Sequence, residues 1–179
     1  MKRLILSSVF LMILGMLACS KNEIEVLNSS QKVSAETLED YLVFGHVGLG
    51  WGCRASAIYM INDGKLYADT SNVFCKDQEQ YQFSGFKLPD SEYDKVKTVL
   101  SEYPTELSSV ESRTFGCPGC ADGGMLFLQR KEKGKAVKSW RIDDTIFYRE
   151  TDIMNQPFPK YLPVFGQKLG TIYTSIKVK

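Results

Sequence analysis

The sequence predicts an α+β fold: an antiparallel sheet built from two hairpins, with two helices packed on one face. Two stretches carry paired apolar runs around short turns, at Asn62-Asp63-Gly64 and at Lys133-Gly134, as hairpins do. Two other stretches carry apolar residues at helical spacing. The order along the chain is hairpin, helix, hairpin, helix, and this order favours helices on one face of an antiparallel sheet.

The hairpins are predicted from short apolar runs. A strand at 41–47 (YLVFGHV) and a glycine-rich turn at 48–52 come before the first hairpin, CRASAIYMIN and GKLYADT. The second hairpin lies in GMLFLQRKEKGKAVKSWRID. Trp140 falls within its alternating run and is expected in the core.

The first helix is predicted within PDSEYDKVKTVLSEYP, with Asp90 as its N-cap and Pro104 at its end. The second is predicted within PKYLPVFGQKLGTIYTSIK, where Gly166 and Gly170 lie one turn apart and are expected to let the helix approach the sheet closely. The apolar stripe of this second helix consists of Leu162, Phe165, Leu169, Ile172 and Ile176.

The N-terminus has the pattern of an export signal. Lys2 and Arg3 precede an apolar run at 4–17, which is too short to span a membrane and has the length of a signal-peptide core. The run ends in small residues, as a cleavage site requires. Lys2 and Arg3 leave with the signal, so 20 of the 22 basic side chains remain against 21 acidic ones. A mature chain near neutrality, without a charge run, argues against a nucleic-acid partner.

Met16-Leu17-Ala18-Cys19 resembles the lipobox of bacterial lipoproteins, with Met16 where Leu is usual. The resemblance implies a diacylglyceryl group on the Cys19 thiol, cleavage before Cys19 and acylation of the new amine. Three acyl chains exceed what stable anchoring needs, and Ser20 implies export to the outer membrane. The alternative is an ordinary secretory signal with a chance cysteine.

These features divide the chain into three parts. Residues 1–18 are the signal peptide, residues 19–34 the lipidated Cys and a flexible tether, and residues 35–179 a single globular α+β domain. At 44% apolar residues, the domain can bury an ordinary core. No second hydrophobic span follows the signal, so the predicted contact with the membrane is the lipid alone.

Four cysteines remain after lipidation of Cys19, an even number in an exported protein, where disulfides persist. Of the three possible pairings, we favour Cys53 with Cys75 and Cys117 with Cys120. In the loop-entropy model the first pairing contributes roughly 3.5 kcal/mol and the second about 2 kcal/mol. The first is therefore the stabilising bridge, and the second fixes a turn at Pro118-Gly119.

The Cys117–Cys120 motif has two alternatives to this structural role. Redox cysteines of the thioredoxin type lie at a helix N-terminus, whose dipole lowers the thiol pKa, but the sequence after Cys120 predicts a strand. A zinc site needs more ligands at suitable spacing, and the chain has one CxxC only. We therefore expect no bound metal and no cofactor.

A second resemblance covers the domain from Tyr41 onward. FGHVG, the hairpin ending in KLYADT, FGCPGCADGG and WRID resemble a set of uncharacterised small lipoproteins from Bacteroidetes-type bacteria, and GCPxCADGG is the most specific motif. The resemblance implies a lipid-anchored envelope protein. It implies no activity.

Few residues offer chemistry beyond the cysteines. His46 is the only histidine, and so it is the only candidate for an imidazole base or an imidazole metal ligand; the alternative is a local hydrogen-bonding role at a strand end. Trp51, in GLGWG, is either an exposed binding anchor or folded back on the sheet. Asp122 is expected to cap backbone N–H groups in the cysteine loop. Asp143 and Asp144 are expected to be turn residues, because adjacent side chains on a strand point to opposite faces.

The sequence therefore predicts a lipid-anchored cell-envelope module that binds a protein or glycan partner and is not an enzyme. Its contact surface would include Trp51, His46 and Asp122. The alternative is a thiol-disulfide redox or metal-handling protein that uses Cys117 and Cys120.

Overall fold

A computed structural model of the chain describes residues 32–48, 57–69, 73–74, 80–120, 123–147 and 158–177. Within these ranges the fold is α+β, and its main feature is an eight-stranded sheet in the order β1-β5-β4-β3-β2-β7-β8-β6. All neighbouring strands are antiparallel except β6 and β8, which are parallel. The strands are β1 Val33–Ser34, β2 Tyr41–Gly48, β3 Ala57–Asn62, β4 Lys65–Asp69, β5 Ser84–Lys87, β6 Arg113–Phe115, β7 Gly124–Lys131 and β8 Lys138–Asp143.

The helices are short except for the last one. A first 3₁₀ helix follows β1, and a second follows β8. The α-helices lie between β5 and β6 and at the C-terminal end. The bounds are Ala35–Thr37 and Asp144–Phe147 for the two 3₁₀ helices, and α1 Asp90–Val96, α2 Thr98–Ser101, α3 Thr105–Ser109 and α4 Tyr161–Ser175 for the α-helices.

Both predicted hairpins are present. The first turns at Asp63 and Gly64, whose φ angles of 46° and 65° are both positive, as a two-residue type I′ turn requires. The second joins β7 to β8 and places Trp140 opposite Leu128. Trp140 is fully buried, as expected.

The two-hairpin, two-helix description is nevertheless too simple. The sheet also contains β1, β5 and β6, and β1 takes up Val33–Ser34, which the sequence assigns to the tether. The first predicted helix is divided into α1 and α2 at Lys97. Asp90 is not its N-cap: Pro89 holds that position, and the Asp90 carboxylate lies 2.7 Å from the Lys87 ammonium.

One face of the sheet is covered by helices. Their apolar side chains form a single core cluster with the side chains of this face, including Phe44, Leu128 and Trp140. All five residues of the predicted α4 stripe are buried. A Cβ on Gly166 would lie 2.5 Å from Ile146, so the helix glycines allow close approach to the second 3₁₀ helix rather than to the sheet.

The opposite face, here called the second face, is also buried, although none of the α-helices in the described ranges contributes to its core cluster. Residues around Ala35, together with Phe74, Tyr81 and Phe83, pack there against Val43 and Phe127. β7 is therefore buried on both faces over its first six residues. An alternating pattern would bury only one face.

Candidate functional site

The predicted functional residues that the structure describes, His46, Cys117 and Cys120, lie where several strands of the sheet end. β2 ends there and pairs with the start of β7, Gly48 opposite Gly124. β8 ends beside the start of β7, Asp143 opposite Met125, and β6 ends parallel to β8. We call this the loop edge, defined by Gly48, Ala57, Asp69, Phe115, Gly124 and Asp143.

The Cys117–Cys120 turn is the best-defined feature of the loop edge. The two sulfurs lie at disulfide distance, and the Cα atoms are 5.5 Å apart. Cys120 N–H donates to the Cys117 carbonyl at 3.0 Å. Gly119 has φ 76°, which together with Pro118 before it identifies a type II turn. The predicted tight reversal is confirmed, and β7 follows it as expected.

Asp143 holds the N-terminal end of this turn. Its Oδ2 accepts a hydrogen bond from Cys117 N–H at 3.0 Å, and its Oδ1 accepts one from Thr145 N–H at 3.0 Å. The side chain is almost fully buried. Hydrogen bonds from N–H groups to a carboxylate are stronger than neutral ones, so Asp143 fixes the position of Cys117.

Asp144 holds the chain just beyond the turn. Its Oδ2 accepts from Gly124 N–H at 2.6 Å and lies 3.7 Å from His46 Nε2. A Cβ on Gly124 would lie only 2.7 Å from His46 Nε2, so glycine is required for this contact. The expectation that both aspartates are turn residues is wrong: Asp143 is the last residue of β8, and Asp144 is the first residue of the second 3₁₀ helix. Together they hold both ends of the cysteine loop.

His46 lies in β2 close to the loop edge. Its ring packs edge-on against Phe147 at a centroid distance of 5.4 Å, and 36% of its side chain is exposed. The Asp144 carboxylate lies 3.7 Å from Nε2 of the imidazole, and solvent still reaches the ring. The arrangement suits polar contact with a partner more than burial in a core.

The surroundings of Cys117 do not favour a thiolate. The Asp143 carboxylate accepts the Cys117 N–H, and a negative charge so close disfavours a second one. The main chain enters β7 at Gly124, as the sequence predicts. Both cysteines are nevertheless exposed, so a reductant or a partner can reach the disulfide.

Within the described ranges, no group of three or more His, Cys, Asp or Glu side chains is placed to bind a metal ion. Cys19, Trp51, Cys53, Cys75 and Asp122 lie outside the described residues. The connection that carries Trp51 and Cys53 leaves the sheet at Gly48 and re-enters it at Ala57, both at the loop edge.

The sequence pattern alone does not reveal that Asp143 and Asp144 hold the two ends of the cysteine loop. The signal that would have revealed it is the pairing of β7 with β8, which brings the end of WRIDD beside the start of GGMLF. The adjacent pair alone carries no such information, because it is equally typical of an ordinary turn.

Comparison of the chain with models of protein families, with curated proteins and with solved structures finds no match. In the part of the chain that the structure describes, no helix is both long and apolar enough to cross a bilayer.

Proposed function

We propose that the protein is a lipid-anchored binding module of the cell envelope, attached at Cys19 to the outer membrane, and that it is not an enzyme. Its partner is an envelope protein or glycan, and the loop edge is its contact surface. The lipobox resemblance supports the anchor. The gathering of the Cys117–Cys120 turn and His46 at one sheet edge supports the contact surface.

The observation that carries the proposal is the exposed turn held at both ends. Asp143 fixes Cys117, Asp144 fixes Gly124, and the disulfide closes the loop between them. A loop ordered before it meets its partner loses less conformational entropy on binding. Loops held by a rigid sheet are also where binding residues are most often found.

The anchor is tested by metabolic labelling with a palmitate analogue. Wild-type protein should take up the label, and Cys19→Ala should not. Label on the Cys19→Ala variant would show that the lipid attachment is elsewhere or that the lipobox assignment is wrong.

The contact surface is tested with a photo-crosslinking residue in intact cells. Position 160 is exposed, and neighbouring Phe158 lies beside Gly116 at the start of the cysteine turn. Position 133 is an exposed lysine in the turn of the second hairpin and serves as the matched control. We expect a discrete crosslinked adduct from Lys160 and none from Lys133. The reverse pattern, or equal diffuse adducts from both, would remove the loop edge as the contact surface.

A second candidate function is thiol-disulfide exchange or metal handling at Cys117 and Cys120, and the exposure of both cysteines favours it. This function requires a readily reduced pair. Insulin-reduction activity that is lost in Cys117→Ser, or one equivalent of metal bound by the reduced protein, would establish it in place of the binding module.

A further inference from the structure

A half-open cavity lies at the opposite end of the sheet from the loop edge, on the second face. It is bounded by the first 3₁₀ helix, residues 80–82, the start of β2 and the end of β7, and it encloses about 150 Å³. A single water molecule needs only about 10–15 Å³ of such space, so the cavity has room for a group of several heavy atoms.

A buried glutamine fixes the floor of this cavity. Gln129 is 1% exposed. Its Oε1 accepts from Tyr81 N–H at 2.8 Å, and its Nε2 donates to the Tyr81 carbonyl at 3.0 Å. The amide therefore reproduces the bonds of a strand neighbour and holds residues 80–82 against the sheet. The wall is ordered before any ligand arrives.

Tyr41 provides a hydrogen-bond donor at the same floor. Its phenol oxygen accepts from Gln129 Nε2 at 3.3 Å, which leaves the O–H to donate. Burial raises the pKa of Tyr41, and the Gln129 hydrogen bond only partly opposes this. The phenol keeps its proton at neutral pH.

The rest of the lining is mainly polar and balanced in charge, and its apolar members are Ala35, Leu38 and Val137. Gln80 and Gln82 are exposed, and each amide offers donors and an acceptor. Glu36 and Lys131 carry opposite charges, and the Lys131 ammonium donates to the Lys135 carbonyl at 2.7 Å. The cavity therefore presents donors and acceptors together, with no net charge.

We propose that this cavity binds one uncharged pyranose residue of a glycan. A sugar ring carries hydroxyl groups that donate and accept at several points, and it matches a small, polar, neutral and ordered cavity. An anion would need excess positive charge, and an apolar ligand would need an apolar lining. The inference rests on the proposed function in that it names a ligand class for the binding module, at a site separate from the loop edge.

The experiment titrates full-length lipidated protein, held in a detergent without a sugar headgroup, with methyl β-glucoside and methyl N-acetyl-β-glucosaminide. Binding is followed by saturation-transfer difference NMR. We expect saturable binding of at least one of the two, with Kd in the millimolar range of a single-residue ligand. Methyl β-glucuronide, which places a carboxylate on the same ring, should bind at least about tenfold more weakly because the lining is neutral.

Gln82→Ala should weaken binding about fivefold or more, as expected for a lost ligand hydrogen bond. Gln167→Ala, on α4 and outside the cavity lining, should bind as the wild type does. No saturation up to about 50 mM, where even a ligand of millimolar Kd would fill the site, overturns the proposal. So does equal binding of the glucuronide, unchanged binding by Gln82→Ala, or saturation by a trialanine amide instead of a sugar. Crosslinking from position 160 does not involve this cavity. The result of that test of the loop edge is therefore independent of the result of the sugar titration.

Discussion

Two irregular segments of this protein are fixed by side chains rather than by strand pairing, and they are fixed differently. The Cys117–Cys120 turn is held by the carboxylates of Asp143 and Asp144 at an exposed edge. The segment 80–83 is held by the neutral amide of Gln129 inside the second face. Two side chains hold the first segment and one holds the second, and in both cases they form hydrogen bonds with main-chain groups.

The difference follows from burial. An ionised carboxylate needs several donors or nearby solvent, and the loop edge provides both. An amide offers a donor and an acceptor at no cost in charge, and so it suits a fully enclosed position. The comparison implies that loss of Gln129 should affect the whole fold, whereas loss of an aspartate should affect the turn.

The largest effect is expected from Gln129→Leu. The change leaves the buried Tyr81 N–H without an acceptor, while the Tyr81 carbonyl keeps its bond from Phe83 N–H at 3.1 Å. We expect a loss of about 2–3 kcal/mol in the free energy of unfolding, measured in urea. Gln82→Leu, in the same segment but exposed, is the control and should change little. Equal losses in both variants would show that the hydrogen bonds between the Gln129 amide and Tyr81 are not what holds the segment.

Removal of the disulfide should have a smaller effect. The double variant Cys117→Ser and Cys120→Ser loses the closure of a four-residue loop, worth about 2 kcal/mol in the loop-entropy model. The Asp143 hydrogen bond to residue 117 should persist, so the protection of its amide against hydrogen exchange should be largely kept. Complete loss of that protection would mean that the disulfide, not the carboxylate, orders the turn.

Asp143→Asn should cost about 1 kcal/mol. The amide has one acceptor oxygen where the carboxylate uses two, and so its NH₂ faces either Cys117 N–H or Thr145 N–H. Hydrogen exchange should speed up at one of these two amides and not at Tyr81. Asp94→Asn, at a highly exposed carboxylate, is the matched control. An unchanged exchange rate at both amides would contradict the hydrogen bonds that Asp143 accepts from Cys117 N–H and Thr145 N–H.

Stabilisation by hydrogen bonds to an ionised carboxylate should depend on pH. Glu92, which accepts such bonds, provides the test. The hydrogen bond from the Lys95 ammonium lowers the pKa of Glu92, and the Lys177 N–H adds to this. A folded-state pKa below the unfolded one gives stability that is present above the unfolded pKa and is lost as pH falls through the folded pKa.

Glu92→Gln should therefore be less stable than the wild type at neutral pH, and the gap should close in acid. Urea midpoints measured from about pH 7 to about pH 3 span the window below the ordinary glutamate pKa. The Gln129 amide is uncharged, so the loss of stability caused by Gln129→Leu should not vary over the same pH range. A gap for Glu92→Gln that stays constant with pH would show that the carboxylate charge is not what stabilises this contact.

The local parts of the fold were predictable from the sequence. The turn at Asp63-Gly64 requires positive φ angles that these residues tolerate, and the α4 stripe has the helical period. The turn at Pro118-Gly119 was predictable for the same local reason.

The long-range parts were not. β6 has three residues and pairs with β8 in parallel, which no local pattern indicates. The second face is closed by an irregular segment whose position depends on Gln129, 48 residues away in sequence from Tyr81. The position of Cys117 likewise depends on a hydrogen bond to Asp143, which is 26 residues away in sequence. Such contacts follow from the register of the sheet and cannot be read from periodicity.

The central claim is that the Cys117–Cys120 turn is a fixed structural element of a binding surface and does not transfer electrons. The most direct test is the reduction potential of this pair in the full chain, measured by equilibration with thiol buffers and assigned by mass mapping of tagged Cys117 and Cys120. The nearby Asp143 carboxylate and the strand that follows both disfavour a thiolate, so we predict a potential below about −300 mV, as for structural disulfides. A value between about −270 and −120 mV, the range of disulfide oxidoreductases, would contradict the account and favour the redox function.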